Sequence, residues 1–501
     1  MPEDAPGNPG ALPEWPGADF SGEPGDDGPA LLGRVRGMQA KLHRWAGEDS
    51  SRRFGDLFNL VCDPYFLAEA WTRVSRNRGA QTPGIDGVTA ALAEAGEGGV
   101  SGFLEEIRGL LRSGEYRPAA ARQVMIPKKN GKLRKLGIPT LADRVVQASL
   151  KLVLEPVFEA DFLPCSYGFR PCRRAQDAIA EIHLLATSGY TVVLEADIRA
   201  CFDEIDHSAL MERLRARIKD KRICALVKAF LKAGVMTFPG DREDSLTGTP
   251  QGGILSPLLA NIALSALDEH FARQWEPDHG QRKKRIRKGL GNWRLVRYAD
   301  DFVIMVHGSR RHAEALREEA AAALEPLGLR LAGEKTRIVS IDEGFDFLGF
   351  TIRRMRKRGT SKHYVYTVPS RKSIQAVKDK VAVKTYRSTQ GWEFTALLQS
   401  VNRLLAGWAN YFRHGVSKAA FGKVDSHAWN RIMRWLRRKY QGRGRLGMPE
   451  LKRRFCLPGT WMFAQDGTRF TGASAVPVTR YRYRGAQIPT PWTPQPATAA
   501  S

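Results

Sequence analysis

The sequence predicts an α+β fold followed by an all-helical domain, and three observations carry that prediction. From residue 56 to about 363, strand-like and helical stretches alternate. Two of the strand-like stretches are apolar runs that end in acid. These are 191–198 (TVVLEADI) and 295–306 (LVRYADDFVIMV), the second reading as two strands meeting at a tight acidic turn. After about Ser370 the apolar spacing becomes helical, with Phe394, Leu397, Leu398, Val401, Leu405, Trp408 and Phe412 three or four residues apart and Gly415 supplying a stop.

Taken in order, the elements divide as follows. Residues 1–30 hold seven acidic residues, seven Pro and six Gly, with no Lys or Arg. Such a composition buries too little apolar surface to offset ordering entropy, so it reads as a disordered acidic tail. Residues 31–54 form a basic N-terminal extension, 55–365 the α+β part and 366–450 the helical part. Within the last, 428–440 places Ile432, Trp435 and Leu436 on one side of a helix rich in Arg and Lys. Residues 451–501 form a C-terminal tail, Pro/Thr/Ala-rich from about Gly485 and expected to fray there.

Composition narrows the function. The 501 residues contain 78 Lys plus Arg against 53 Asp plus Glu, a net charge of +25, and the acidic tail makes the remainder more basic still. A surplus of that size points to a polyanionic partner. The six cysteines include no C-x-x-C and no pair near a His at zinc spacing, which argues against a disulfide scaffold or a zinc finger. No run approaches the roughly 18 apolar residues of a membrane span, and no secretory leader opens the chain. A soluble, cytoplasmic protein with no membrane partner is expected.

Asp197 and the pair Asp300–Asp301 each sit at the end of a strand-like run. Carboxylates at strand ends converge readily in a sheet, and hard oxygen ligands suit Mg²⁺. Two such ions can activate a 3′-hydroxyl and stabilise a leaving pyrophosphate. Most Asp-Asp pairs taken alone are solvated hairpin turns, so the surrounding blocks decide. Tyr298-Ala-Asp-Asp301 is a Y-x-D-D box about one hundred residues after Asp197. Between them stands Gly248-Thr-Pro-Gln-Gly-Gly-Ile-Leu-Ser-Pro257, followed by Leu258-Leu-Ala-Asn-Ile262. Upstream lie Asn77-Arg-Gly-Ala-Gln-Thr-Pro-Gly-Ile-Asp-Gly87, Ile126-Pro-Lys-Lys-Asn-Gly-Lys-Leu-Arg-Lys-Leu-Gly-Ile-Pro139 and Ser166-Tyr-Gly-Phe-Arg-Pro171. Downstream come Glu334-Lys-Thr336 and Phe347-Leu-Gly-Phe350. In this order and at these distances the set closely resembles the bacterial group II intron-encoded reverse transcriptases and maturases, over about residues 55–440.

The resemblance implies a right-hand polymerase fold, with α+β fingers and palm followed by a helical thumb and maturase region. It implies RNA-directed DNA synthesis with two Mg²⁺ ions, Mn²⁺ being an alternative in vitro. Asp197, Asp300 and Asp301 are then the metal ligands, with the backbone carbonyl of Ile198 beside them. Lys128 and Arg134 of the finger hairpin clamp the triphosphate, Arg134 bidentately. Lys135 stands where the family usually has proline. Arg122 lies against the templating base. Phe202 sits under the incoming sugar, where a 2′-hydroxyl would collide with it, and core packing is its bland alternative. Gln251 approaches the nucleotide, with Gly252 and Gly253 lacking a Cβ beside it. Phe347, Leu348 and Gly349 resemble the primer-gripping turn, for which a purely structural hairpin competes.

In the helical region, Arg434, Arg437, Arg438 and Lys439 are candidate RNA-binding residues, since structured RNA is bound largely through phosphate and 2′-hydroxyl contacts. The implied partners are a structured intron RNA, an RNA template with a DNA primer, and deoxynucleoside triphosphates. The implied role is splicing assistance and retromobility, with the protein at the nucleoid when acting on DNA. The tail lacks the paired cysteines and histidines of the endonuclease often found at the end of this family, so priming from another strand is expected. Two rivals stand beside this reading: a host-recruited reverse transcriptase in phage defence or CRISPR spacer acquisition, and a splicing-only RNA-binding protein.

Overall fold

The computed structural model describes residues 28–127, 133–236, 242–243, 248, 252–440, 446–485 and 488–493. The expected disordered tail therefore lies outside the described residues, except that a helix already begins at Gly28 and runs to Glu48. That helix belongs to the core. Val35, Leu42 and Ala46 are buried, and Gln39 Nε2 donates to the carbonyl of Leu152 at 2.7 Å, on the long helix Leu141–Asp161.

The centre of the molecule is a four-stranded antiparallel sheet in the order Asn292–Tyr298, Asp301–His307, Val192–Asp197, Arg337–Ser340. Its strands read as continuous apolar runs because both faces are covered. Leu194, Ala196, Phe302, Ile304 and Val306 point into one core, which the helices Ser256–Gln274 and Arg310–Leu324 help to build. Val193, Val296, Val303 and Met305 point into a second core, shared with the helix Ala175–Thr187 and the C-terminal helices. Alternation along a strand thus divides the residues between two cores rather than between core and water.

A smaller sheet pairs Ala121–Pro127 antiparallel with Leu133–Ile138, so that Ile126 faces Arg134. The residues joining these strands, including Lys128, lie outside the described residues. A third sheet joins Phe345–Phe347, Phe350–Arg356 and His363–Pro369 and leads into the helices Arg371–Lys384, Phe394–Phe412, Lys418–Lys439 and Met448–Phe455. Phe394, Leu397, Leu398, Val401, Leu405 and Phe412 are buried, as their helical spacing requires. At Gly415 the chain passes so close to Thr367 that a Cβ would lie 2.8 Å from its carbonyl oxygen.

The tail departs from expectation. It was expected to fray from about Gly485, yet Ile488 and Trp492 are buried, and Trp492 Nε1 donates to Gln39 Oε1 at 3.3 Å. Ile488 joins the second core and Trp492 docks on the N-terminal helix, so two large apolar side chains hold a Pro/Thr-rich stretch in place.

Candidate active site

Asp197 is the last residue of its strand and Asp301 the first of its neighbour, and the two are paired across the sheet. Tyr298 pairs with Asp301 on the other side, so Ala299 and Asp300 form a two-residue hairpin turn. Such turns need a positive φ, and Ala299 has φ 58° without being glycine. The strain is held from below. Arg297 Nη1 donates to the Ala299 carbonyl at 2.9 Å, and Gly168 packs so tightly that a Cβ there would lie 2.2 Å from Ala299 N.

Arg297 is the hub of that support and is fully buried. It reaches Asp268 through Nε at 2.7 Å and Nη2 at 2.5 Å, Asn261 at 3.0 Å and Ser166 Oγ at 2.8 Å. Asn261 Nδ2 donates in turn to the Gly168 carbonyl at 2.9 Å. Three of the sequence blocks therefore serve one turn: Ser166–Gly168, Asn261 and the arginine preceding Tyr298. The sequence marks those blocks but does not single out Arg297 or Asp268 as functional. The available signal was an arginine and an aspartate inside otherwise apolar segments.

The electrostatics suit a cation. Burial raises the carboxyl of Asp300 above its ordinary range, with Asp197 adding to the effect. Burial, then the charges of Asp300 and Asp197, pushes Asp301 up to about 7. Lys335, from the Glu334-Lys-Thr336 block, donates its ammonium to Asp197 Oδ2. Its role was not anticipated. Among the described residues, no three Asp, Glu, His or Cys side chains are gathered in metal-holding geometry. The donor set nevertheless fits a hard divalent ion: three carboxylates at the ends of the two central strands, two of them pushed toward protonation by burial and by neighbouring carboxylates. Ile198, the remaining candidate ligand, follows Asp197 with its side chain buried.

Around this cluster the other candidates are distributed unevenly. Arg134 lies within electrostatic range of the cluster, its charge lowering the Asp300 carboxyl against the effect of burial. Gln251 and Lys128 lie outside the described residues. Gly252 has φ 114°, and its missing Cβ would lie 2.5 Å from the Gly137 carbonyl, so it passes directly beneath the finger strand. Phe202 follows a left-handed Ala200 and is half-buried, meeting Phe169 edge to face at 6.2 Å. Gly248 packs over it, with no room for a Cβ between it and the Phe202 carbonyl. Phe169 is a partner that sequence reading did not assign.

Arg122 does not stand free beside the cluster: Nε and Nη2 donate to the Pro83 carbonyl at 3.1 and 2.8 Å. It ties the 77–87 block to the finger strand, together with Arg144, which donates to Gly79 and Thr82. The Phe347-Leu-Gly-Phe350 turn has Leu348 at φ 48° and Gly349 at φ 79°. Tyr411 donates to the Leu348 carbonyl at 3.0 Å and Ser373 to that of Gly349 at 2.9 Å, so the turn is clasped by the helices that follow.

On the helix Lys418–Lys439, Arg434, Arg437 and Arg438 are exposed opposite buried Ile432, Trp435 and Leu436. Lys439 differs. Its ammonium donates to the carbonyls of Gln390 and Trp392 and lies 5.0 Å from the Trp435 ring, so it is engaged in the fold itself. No helix among the described residues is long and apolar enough to cross a membrane.

Comparison with known proteins agrees with this arrangement. The family profile described as Reverse transcriptase (RNA-dependent DNA polymerase) matches residues 126–352, and that described as Group II intron, maturase-specific domain matches residues 374–454. Protein YkfC of Escherichia coli is 40% identical over 357 residues, covering 67% of this chain and 93% of that protein. The group II intron-encoded protein LtrA of Lactococcus lactis is 32% identical over 370 residues, covering 64% of this chain and 60% of LtrA. A 91 kDa protein in the cob intron of Schizosaccharomyces pombe is 28% identical, covering 76% of this chain and 54% of that one. Neither rival reading is favoured by these relatives. With a reverse transcriptase region built around Asp197, Asp300 and Asp301 and a maturase-specific region after it, the chain belongs to the group II intron-encoded reverse transcriptase and maturase family, and it is an RNA-directed DNA polymerase.

Proposed function

We propose that this protein copies RNA into DNA at one end of the inner strands of its central sheet and anchors a structured intron RNA through its C-terminal helices. The observation that carries the first part is the pairing of Asp197 with Asp301 across adjacent strands, with Asp300 in the hairpin turn just before Asp301. In this reading Asp197, Asp300, Asp301 and the Ile198 carbonyl hold two Mg²⁺ ions. Bound there, the ions supply a more acidic 3′-hydroxyl and neutralise charge on the leaving pyrophosphate.

The chain's own groups do the rest. Lys335 neutralises Asp197 and keeps its carboxylate turned to the cluster. Arg134, already within electrostatic reach of Asp300, and Lys128 on the same hairpin bind the triphosphate. Phe202, backed by Phe169, presents a wall to the 2′-position of the sugar. Gln251 orients the nucleotide, Arg122 positions the template side through the 77–87 block, and Phe347–Gly349 supports the primer end. Division into fingers and palm at 55–365 and thumb at 366–450 matches these tasks. Arg434, Arg437 and Arg438 contact RNA phosphates, with Lys439 holding their helix in place. The protein acts in the cytoplasm, assisting intron splicing and mobility.

The decisive test is Asp300→Asn. Extension of a DNA primer on an RNA template should be lost, while affinity for structured RNA stays within about threefold, since affinity resides on distant basic faces. Retained extension by the purified variant would overturn the assignment.

A further inference from the structure

The C-terminal segment does more than end the chain. Beyond the short hairpin Ala464–Gln465 and Thr468–Arg469 it crosses back over the molecule. Thr479 N donates to the Arg413 carbonyl at 3.0 Å, and the Tyr481 ring meets His414 at 4.8 Å, fixing the segment to the end of a thumb helix. Two residues further on, it enters the palm. Tyr481 Oη donates to Asp177 Oδ1 at 2.8 Å. Arg484 grips the same carboxylate with both arms, Nε to Oδ1 at 2.8 Å and Nη2 to Oδ2 at 2.7 Å, and also reaches the Cys172 carbonyl at 2.9 Å. The Asp177 side chain is 1% exposed.

A carboxylate buried so deeply costs several kcal/mol of desolvation unless it is paired and hydrogen-bonded. Within its own helix Asp177 finds only the Arg174 N–H, at 2.8 Å. Its cation comes from a residue 307 positions away. Next to it, Tyr483 lies within electrostatic reach of Tyr167 and Glu181. Glu181 is itself fixed by Tyr167 at 2.6 Å and Arg294 at 3.0 Å. Tyr167 is the residue before Gly168, whose backbone lies against Ala299 of the catalytic turn, and Tyr167 N donates to the Arg297 carbonyl at 2.9 Å. The segment thus grips Asp177 on the Ala175–Thr187 helix, the same helix holds Tyr167 through Glu181, and Tyr167 borders the backbone beneath Asp300.

We propose that Tyr481, Tyr483 and Arg484 form a strap whose residues are positioning residues for polymerisation: they lock the Ala175–Thr187 helix and Tyr167 under the catalytic turn while tying the thumb to the palm. The proposal rests on the reading of Asp300 and Asp301 as catalytic.

The experiment is steady-state single-nucleotide extension of a DNA primer on an RNA template, using full-length Arg484→Ala, Arg484→Lys and Tyr483→Phe. Small displacements transmitted from outside a site can cost up to about a hundredfold in rate. Arg484→Ala should lower kcat by about tenfold or more, with KM for the nucleotide and Kd for the primed template within about twofold of wild type. Arg484→Lys, which keeps the charge, should recover part of the loss. An unchanged kcat in Arg484→Ala, or a loss that tracks only the fraction of folded protein, would overturn the proposal. Should Arg484→Ala fail to fold, Tyr483→Phe removes a single hydroxyl, and its kcat decides the matter by the same criteria. Asp300→Asn separates the two levels. Activity surviving in that variant would refute the catalytic reading, whereas its loss beside an unaffected Arg484→Ala would refute the strap alone.

Discussion

The catalytic turn and the outer face of the Lys418–Lys439 helix both concentrate charge, and they hold it in opposite ways. Beneath the turn, Arg297 and Asp268 are paired with neither side chain exposed to water. On the helix, Arg434, Arg437 and Arg438 are exposed over a buried apolar stripe. A group that must fix a reacting centre needs one position, and burial with several hydrogen bonds enforces it. A group that must meet a large, irregular polyanion does better in water, where it loses no solvation until the partner arrives. Lys439 marks the boundary between the two styles: it belongs to the basic run in sequence, yet its ammonium is bonded to carbonyls of the fold.

The largest effect should come from breaking the buried style. Arg297→Met leaves Asp268 charged and enclosed, and takes partners from Asn261 and Ser166 as well. Removing one member of a buried ion pair typically costs about 3–5 kcal/mol. We expect the urea midpoint to fall accordingly and primer extension to fall with it, because Ala299 loses its brace. A change in stability below about 1 kcal/mol would show that the network is dispensable.

A smaller and more selective effect is expected at Phe202. Its ring is half-buried at the margin of the first core and leans on Phe169, so truncation costs less stability than loss of a fully buried ring. Phe202→Ala should admit ribonucleotides, improving ATP incorporation relative to dATP by about tenfold or more, the scale on which steric pockets discriminate. An unchanged preference would return Phe202 to ordinary packing and leave the sugar to be sensed elsewhere.

How much of this was legible beforehand follows from the same contrast. The central strands were readable because burial on both faces writes an unbroken apolar run, as in residues 301–307. The helix carrying Trp435 was readable because one face is buried and the other is not. The three aspartates were found because each ends such a run within a recognisable block. What remained hidden were pairings made by topology. Ser166 and Arg297 are 131 residues apart, Asp197 and Lys335 138, and Asp177 and Arg484 307. A single charged residue in a sequence looks the same whether it will face water or a partner on a distant strand. Arg122 and Lys439 show the consequence: both were assigned outward-looking roles, and both are bonded to carbonyls within the fold.

The last prediction turns on the exposed style. If Arg434, Arg437 and Arg438 face phosphates, replacing all three with Gln should weaken binding to a structured intron RNA and flatten its salt dependence. Each lost phosphate contact should lower the slope of log K against log salt by roughly 0.7–0.9. Extension of a short primed template should change far less, because the carboxylate cluster and Arg134 are untouched. Stability should also hold, since exposed charges typically contribute under about 1 kcal/mol each. Lys439→Gln supplies the control from the other side of the boundary. Its carbonyl contacts and its place over Trp435 are internal, so it should lower the melting temperature while leaving the salt slope nearly unchanged. Filter binding across a salt series, beside thermal melts of the same preparations, reads both quantities. An unchanged slope in the triple variant would make that helix face merely solvated. The RNA anchor would then move to the other dense basic run, Arg282–Lys288, on and just after a helix with no buried residue.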